Sequence, residues 1–129
     1  MSSHTKVLLV DDEEDFISAL AERLRMRHYD TRVASSGEAA LVEIEQESPH
    51  IVLLDLKMPG MGGMEALKKI KIKDPSIDVI ILTGSLDSLV GEAAIGAGAT
   101  HHMVKPIDFE HLTDKLHDIV NKRDLGRAC

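Results

Sequence analysis

The sequence is poor in cysteine, and the one it has, Cys129, stands at the last position. A thiol without an intrachain partner is typical of a protein from a reducing compartment. Long apolar runs are also missing. None exceeds five residues, whereas a membrane-spanning helix needs roughly 20 apolar residues. No apolar stretch follows a basic one near the start, so we expect no signal peptide. These absences predict a cytoplasmic protein without a membrane segment.

An excess of basic residues is missing as well. The chain has 15 Lys and Arg against 22 Asp and Glu, and its formal net charge is −7. Binding to duplex nucleic acid requires a basic face that replaces counterions, and no dense Lys/Arg stripe occurs. The 129 residues, 43% of them hydrophobic, match one ordinary globular domain. We expect a single domain that binds no nucleic acid.

Five short apolar runs recur along the chain, with helix-period stretches of ten or more residues between most of them. The runs are residues 7–10, 31–34, 51–54, 79–82 and 102–104. This alternation predicts an α/β fold, in which a parallel sheet has helices on both faces. We assign residues 1–121 to this domain, and residues 122–129 to a short polar C-terminal tail or the start of a linker.

The composition of the runs indicates the strand order. Runs 7–10, 51–54 and 79–82 are continuously apolar, as expected of strands that are buried on both faces. Runs 31–34 and 102–104 are short and mixed, as expected at sheet edges. The pattern fits a doubly wound, flavodoxin-like sheet of order 2-1-3-4-5, whose ligands bind beyond the C-terminal ends of the strands.

Local signals predict several helix boundaries and faces. Ser35 with Glu38 predicts a capping box at the second helix, Pro75 predicts the end of the third, and Asp108 predicts the cap of the last. The apolar face of the first helix is expected to comprise Phe16, Leu20 and Leu24, and that of the last Phe109, Leu112, Leu116 and Ile119.

Polar residues follow four of the five predicted strands. Asp11 and Asp12 follow the first strand, Asp55 the third, Thr83 the fourth and Lys105 the fifth. In the predicted sheet these side chains converge on one crevice. Two carboxylates about 5 Å apart repel by roughly 3 kcal/mol at an effective dielectric constant near 20, so the site needs a cation or a raised pKa. Ligands that are all oxygen atoms favour Mg²⁺ over zinc.

Four motifs together resemble those of the receiver domains of two-component response regulators. They are LVDD at residues 9–12, LDLKMPGMGG at 54–63, LTG at 82–84 and VKP at 104–106. None is specific alone, but the four in this order and spacing are highly specific. The resemblance extends from about Lys6 to Val120.

The resemblance implies a phosphoacceptor site that depends on Mg²⁺. Asp55 would be the nucleophile that takes a phosphoryl group from a phosphohistidine on a sensor histidine kinase. Asp12, Asp55 and the backbone carbonyl of Lys57 would bind the ion directly, and Asp11 would act through water. Phosphoryl transfer needs in-line placement and charge neutralisation more than acid–base chemistry, which agrees with this set of residues.

The resemblance also implies how the phosphoryl group is held and how its presence is signalled. Thr83 and the backbone amide of Gly84 would hold the phosphoryl oxygens, and Lys105 would pair with them. Thr83 and the residue three before the lysine form the family's conformational switch. That residue is commonly aromatic in the family, whereas here it is His102. Gly62 replaces an acid common in the family's loop.

The implied partners are a sensor histidine kinase or a phosphotransfer protein, and a downstream output domain or protein. A homodimer through the face between the fourth and fifth helices is possible in the family. Such domains are signalling phosphoacceptors rather than enzymes, since they catalyse only their own phosphorylation and dephosphorylation. The chain is either a stand-alone regulator or the receiver part of a longer protein.

Two other functions agree less well with these residues. A pseudo-receiver that binds partners without phosphorylation would usually lack a key residue, and none is missing. A phosphatase of the haloacid-dehalogenase type needs a second Asp two residues after the nucleophile, where Lys57 stands. Among the acids after the first strand, Glu13, Glu14 and Asp15 are interpreted as a solvated helix start. Adjacent His101 and His102 point to opposite faces of a strand and are not expected to share a metal ion.

Overall fold

Strands and helices alternate along the chain in the computed structural model, which describes residues 5–57, 60–84 and 88–128. Met58 and Pro59 of the loop motif, and Cys129, lie outside the described residues. The described strands are β1 (Lys6–Val10), β2 (Asp30–Ala34), β3 (Ile51–Asp55), β4 (Asp78–Thr83) and β5 (His101–Val104). The described helices are α1 (Glu14–Met26), α2 (Gly37–Gln46), α3 (Gly63–Lys73), α4 (Ser88–Gly96) and α5 (Phe109–Ala128).

The five strands form one parallel sheet in the order β2-β1-β3-β4-β5. The predicted order is therefore confirmed, with the two mixed runs at the edges. Leu9 of β1 lies opposite Val33 of β2 and Leu53 of β3, and Asp55 of β3 lies opposite Leu82 of β4. This register places the C-terminal ends of β1, β3, β4 and β5 at one edge of the sheet, where the predicted crevice is.

The sheet divides the core into two layers, because successive side chains of a strand point to opposite faces. Leu8 and Val10 of β1 belong to the layer that contains buried residues of α2, α3 and α4, whereas Val7 and Leu9 belong to the layer that contains buried residues of α1 and α5. The inner strands are thus buried on both faces, which explains their continuously apolar sequences. Ile17 rather than Phe16 is the buried residue in the first turns of α1, and Phe16 is only partly buried.

One predicted helix start is wrong by one residue. The N-cap of α2 is Ser36, not Ser35, and the Ser36 hydroxyl oxygen accepts a hydrogen bond from the N–H of Ala39 at 3.0 Å. Gly37 is buried, and an added Cβ would lie 3.3 Å from the Cβ of Ala66 in α3. Because of this close contact between α2 and α3, the first turn of α2 begins at Gly37. Ser36, the preceding residue, is therefore the N-cap.

The caps of α3 and α5 agree with prediction. α3 ends at Lys73, two residues before Pro75. The Asp108 carboxylate accepts a hydrogen bond from the N–H of Glu110 at 3.0 Å at the start of α5. None of the described helices is both long and apolar enough to cross a membrane.

The last helix continues beyond the residues predicted to form the domain. α5 has 20 residues and extends through 122–128, the segment predicted to be a tail or a linker. Within this extension an Arg123 guanidinium nitrogen donates hydrogen bonds to the carbonyl oxygens of His50, at 2.9 Å, and Ser76. The guanidinium also lies 3.2 Å from the carboxylate of Asp78. Arg123 therefore ties the end of α5 to the loops that precede β3 and β4.

The start of α3 presses against the end of β3 at Gly63. A Cβ added to Gly63 would lie 2.4 Å from the Cα of Leu56 and 2.5 Å from the carbonyl oxygen of Asp55. Both atoms belong to the backbone, so neither can move aside without shifting the strand end. At the neighbouring Gly62 an added Cβ would meet nothing within 4 Å. Only glycine at position 63 allows α3 to begin this close to Asp55.

We predict that Gly63→Ala lowers the free energy of unfolding by about 3 kcal/mol, because the new methyl group overlaps backbone atoms. The matched change Gly62→Ala should cost less than about 1 kcal/mol, the loss expected when alanine replaces glycine at an N-cap. Urea denaturation of both variants measures the difference. Equal losses would contradict the steric explanation.

Candidate functional site

Two aspartates are buried side by side at the C-terminal edge of the sheet. Asp11 follows β1 and Asp55 ends β3, the neighbouring strand, and their exposed fractions are 0% and 4%. Asp12 is exposed at the rim. One carboxylate oxygen from each of the three can be chosen so that all lie within 4.8 Å of one another. The structure thus brings together the three acids that the sequence analysis assigned to one crevice.

Backbone amides hold the two buried carboxylates in place. One oxygen of Asp11 accepts a hydrogen bond from the N–H of Glu13 at 2.9 Å, and one oxygen of Asp55 accepts from the N–H of Lys57 at 3.2 Å. In both cases the donor is two residues further along the chain. These local turns aim the second oxygen of each carboxylate towards the crevice and the lysine described next.

Lys105 extends across the crevice from the end of β5. Its ammonium nitrogen lies 2.7 Å from Asp11, 2.9 Å from Glu13 and 3.8 Å from Asp55. It also lies 4.7 Å from the centre of the Phe16 ring, which is within the range of a cation–π contact. The peptide bond between Lys105 and Pro106 is cis. Lys105 therefore brings a positive charge to both buried acids.

Burial and charge shift the pKa values of both groups. Burial and the nearby Asp11 carboxylate raise the pKa of Asp55 to about 6, although the Lys57 amide and the Lys105 charge act in the opposite direction. Burial tends to lower the pKa of Lys105. Its hydrogen bonds to Asp11 and Glu13 and the charge of Asp55 outweigh this, so its pKa is raised. The lysine therefore stays charged, and the Asp55 carboxylate gains its full charge only above about pH 6.

Thr83 and Gly84 lie at the end of β4, beside Asp55. Asp55 is paired with Leu82 in the sheet, so Thr83 stands one residue beyond it on the adjacent strand. Thr83 is buried, and its carbonyl oxygen accepts a hydrogen bond from the Lys105 N–H at 2.7 Å. Gly84 is exposed, and an added Cβ there would meet nothing within 4 Å. Position 84 is therefore open at the surface, directly after the buried Thr83.

His102 lies exposed on the surface between β5 and α4. Its imidazole ring covers Gly91 of α4 so closely that an added Cβ at Gly91 would be 2.5–2.8 Å from three ring atoms. His101 is half-buried on the other side of the strand, where burial and the charges of Lys115 and Lys122 lower its pKa. Among the described residues, the aspartate trio is the only group of three potential metal ligands. Neither histidine belongs to that group.

The sequence analysis missed the contacts of Glu13 and Phe16. Glu13 was interpreted as part of a solvated helix start, and Phe16 as part of the apolar face of α1. Glu13 does lie at the exposed start of α1 and Phe16 does pack against the core, but each also contacts Lys105. An acid one residue after the Asp11–Asp12 pair was the available signal. This signal does not distinguish Glu13 from the residues that follow, because Glu14 and Asp15 continue the acidic run and are exposed.

The site combines a buried carboxylate at Asp55, three acids whose oxygen atoms could hold a divalent cation, and the positive charge of Lys105. Its donors are carboxylate oxygens, two of them buried, and such a set suits a hard cation such as Mg²⁺. The Asp55 oxygen that accepts no bond from the Lys57 amide faces the same crevice as Lys105. This chemistry fits transfer of an anionic group to Asp55.

The chain belongs to the response regulator receiver domain family, whose model matches residues 7–117. Members of this family are signalling phosphoacceptors, and they bind Mg²⁺ at an acidic pocket. The resemblance derived from the four motifs is therefore confirmed. So is the general function, that of a receiver domain.

Two relatives differ in how much of their length this chain covers. Sporulation initiation phosphotransferase F of Bacillus subtilis is 40% identical over 113 residues, which are 86% of this chain and 90% of that protein. Transcriptional regulatory protein ZraR of Salmonella typhimurium is 32% identical over 121 residues, which are 93% of this chain and 27% of that protein. The chain spans nearly all of the first and about a quarter of the second.

Solved structures agree with the sheet order and helix arrangement. A receiver domain protein of Methanospirillum hungatei superimposes with a TM-score of 0.91 at 26% identity, covering 96% of this chain and 99% of that one. Chemotaxis protein CheY4 of Vibrio cholerae superimposes with a TM-score of 0.85 at 25% identity, covering 91% and 99%. The fold is that of receiver domains.

The raised pKa of Asp55 predicts how stability depends on pH in protein treated with EDTA. The pKa rises from 3.8 to about 6 on folding, so the contribution of Asp55 is fully present below pH 4 and is lost as pH rises through 6. Asp55→Asn removes this loss and should be more stable than the parent above pH 6 by on the order of 2 kcal/mol. The gain should vanish near pH 4.

Urea denaturation at pH 4, 5, 6 and 7 measures this difference. Asp12→Asn, which removes the exposed carboxylate of the trio, is the matched control. A difference between Asp55→Asn and the parent that stays constant from pH 4 to pH 7 would show that the buried carboxylate does not have the raised pKa.

Proposed function

We propose that this receiver domain accepts a phosphoryl group on Asp55 from a phosphohistidine of a sensor histidine kinase. The observation that supports the proposal best is the buried pair Asp11 and Asp55 with Lys105 between them. An Asp55 oxygen attacks phosphorus, the phosphorus–nitrogen bond to the donor histidine breaks, and the electron pair of that bond returns to the imidazole. The product is an acyl phosphate, which is labile and suits a reversible signal.

Three groups of the chain would hold the transferred phosphoryl oxygens. Lys105 would pair with one oxygen after its ammonium, which lies 3.8 Å from Asp55 in the free protein, moves closer. The Thr83 hydroxyl and the Gly84 amide would donate to others from the adjacent strand end. Preorganised donors of this kind stabilise the charge that develops during transfer.

Asp12, Asp55 and the backbone carbonyl of Lys57 would bind Mg²⁺ directly, and Asp11 would act through water. The acidic pocket fits the ion, because its donors are oxygen atoms and lie within 4.8 Å of one another. When bound, the ion would neutralise charge on the attacking carboxylate and on the phosphoryl oxygens. The residues of this chain then position the nucleophile: the Lys57 amide fixes one Asp55 oxygen and leaves the other for attack.

Phosphorylation would change the conformation of the α4–β5 surface through Thr83 and His102. Movement of the Thr83 hydroxyl towards a phosphoryl group would free space beside β5, and His102 would change its position against α4. Ile95 and Val104 are exposed apolar residues on the same α4–β5 surface. This surface is the proposed contact for an output domain, a downstream protein or a second copy of the chain.

The domain is proposed to act in the cytoplasm, as a phosphoacceptor that catalyses only its own phosphorylation and dephosphorylation. Similarity to a protein named sporulation initiation phosphotransferase F supports a role in phosphoryl transfer for this chain.

Incubation with Mg²⁺ and acetyl phosphate should add one phosphoryl group, labile to both acid and base, that Asp55→Asn abolishes. Asparagine has no anionic oxygen and cannot attack phosphorus. Intact-protein mass spectrometry measures the addition, and Asp74→Asn, at a half-buried carboxylate at the end of α3, is the control that should be phosphorylated like the parent. A fully phosphorylated Asp55→Asn protein would contradict the assignment of Asp55 as the phosphorylated residue.

Mg²⁺ should raise the thermal stability of the parent chain, because only the folded state gathers the three acids. At about 100 times the dissociation constant the gain is roughly 2.7 kcal/mol. Asp12→Ala should lose most of this gain, whereas Glu14→Ala, an exposed acid of α1, should keep it. Melting curves with and without Mg²⁺ give the answer. A melting temperature indifferent to Mg²⁺ in the parent would count against the ion site.

A further inference from the structure

We propose that Glu13 is a positioning residue that holds the Lys105 ammonium away from Asp55 and so slows phosphorylation. The inference rests on the proposed function of Asp55. It concerns a residue that belongs neither to the aspartate trio nor to the groups that would hold the phosphoryl oxygens.

The contacts of Lys105 are unequal. Its ammonium makes hydrogen bonds to Asp11 at 2.7 Å and to Glu13 at 2.9 Å, whereas Asp55 lies at 3.8 Å, beyond hydrogen-bond distance. Asp11 is fully buried behind the lysine, but the Glu13 side chain is 65% exposed at the mouth of the crevice. Glu13 therefore draws the ammonium towards the mouth.

Nothing in the local helix structure requires the Glu13 side chain to take this position. Glu13 is the N-cap of α1, but its side chain makes no capping hydrogen bond. Its backbone N–H instead donates to Asp11, which fixes the residue beside the crevice. The Phe16 ring, one turn along the same helix, lies 4.7 Å from the ammonium. The start of α1 thus supplies both an acid and a ring to Lys105.

To contact a phosphoryl group on Asp55, the ammonium must approach Asp55 and weaken its bond to Glu13. The pair with Glu13 stabilises the free protein but is weakened in the transition state and in the phosphorylated product. Loss of the pair should therefore speed phosphorylation and leave the lifetime of the acyl phosphate unchanged. An exposed ion pair shifts an equilibrium by about fivefold at most, and we expect an increase of about threefold for Glu13→Gln.

Phosphorylation rates with limiting acetyl phosphate, in the presence of Mg²⁺, test the inference against matched variants. Glu14→Gln removes the same charge from the same helix turn, and so controls for easier approach of an anionic donor. Glu13→Asp keeps the charge but shortens the reach, and should resemble Glu13→Gln if contact matters. In a Lys105→Ala background, Glu13→Gln should have no further effect.

A second measurement needs neither Mg²⁺ nor a phosphodonor. In ¹³C-labelled protein the ε-methylene shift of Lys105 depends on its position over the Phe16 ring. It should change in Glu13→Gln and stay the same in Glu14→Gln. An unchanged shift in both variants overturns the proposed positioning.

The kinetic outcomes separate the two proposals. A parent chain that takes no phosphoryl group on Asp55 overturns the proposed function, while the lysine shift still tests Glu13. Equal rates for Glu13→Gln and Glu14→Gln, with Asp55 phosphorylated in both, overturn the role of Glu13 alone. So does an acyl phosphate lifetime that shortens by the same factor as the rate increases, because Glu13 would then act on the transition state.

Discussion

Two like charges buried next to each other constrain the whole C-terminal edge of this sheet. Asp11 and Asp55 have almost no contact with solvent, and a buried carboxylate is costly unless it is paired or protonated. Lys105, two amide hydrogen bonds and a raised Asp55 pKa all reduce that cost. With Asp12 at the rim, the crevice still has more acidic groups than basic ones.

The apolar sheet is what makes this arrangement possible. β1 and β3 are neighbours with continuously apolar sequences, so their ends are fixed by burial on both faces rather than by the acids. Gly63 lets α3 begin directly against the end of β3, and Arg123 fastens α5 to the opposite edge. The two apolar layers on the faces of the sheet therefore provide most of the stability. Burial of the two acids lowers it, as is common at functional sites.

The strands, their order and the convergence of the acids could be predicted from sequence. Burial on both faces leaves an unbroken apolar run, and a parallel sheet places the residues after its strands at one edge. Contacts between side chains that are distant in the sequence could not be predicted. Glu13 meets Lys105 across 92 positions of the chain, and its acidic neighbours made a solvated helix start the simpler interpretation.

Helix ends were predicted less well than strands for a similar reason. The start of α2 depends on how closely Gly37 packs on α3, which a capping pattern does not encode. The extension of α5 is held by carbonyl oxygens of His50 and Ser76, 73 and 47 positions earlier. A tertiary contact thus determines where each of these two helices begins or ends. The local sequence only limits the positions at which it can do so.

The ring of His102 lies where any side chain larger than glycine at position 91 would have to be. The two positions thus share one volume. A substitution that enlarges residue 91 must displace the imidazole from α4. A bulkier ring at position 102 must either lie elsewhere or keep glycine at position 91. Through evolution the two sites are therefore expected to change as a linked pair, so that the acceptable residue at one depends on the history of the other.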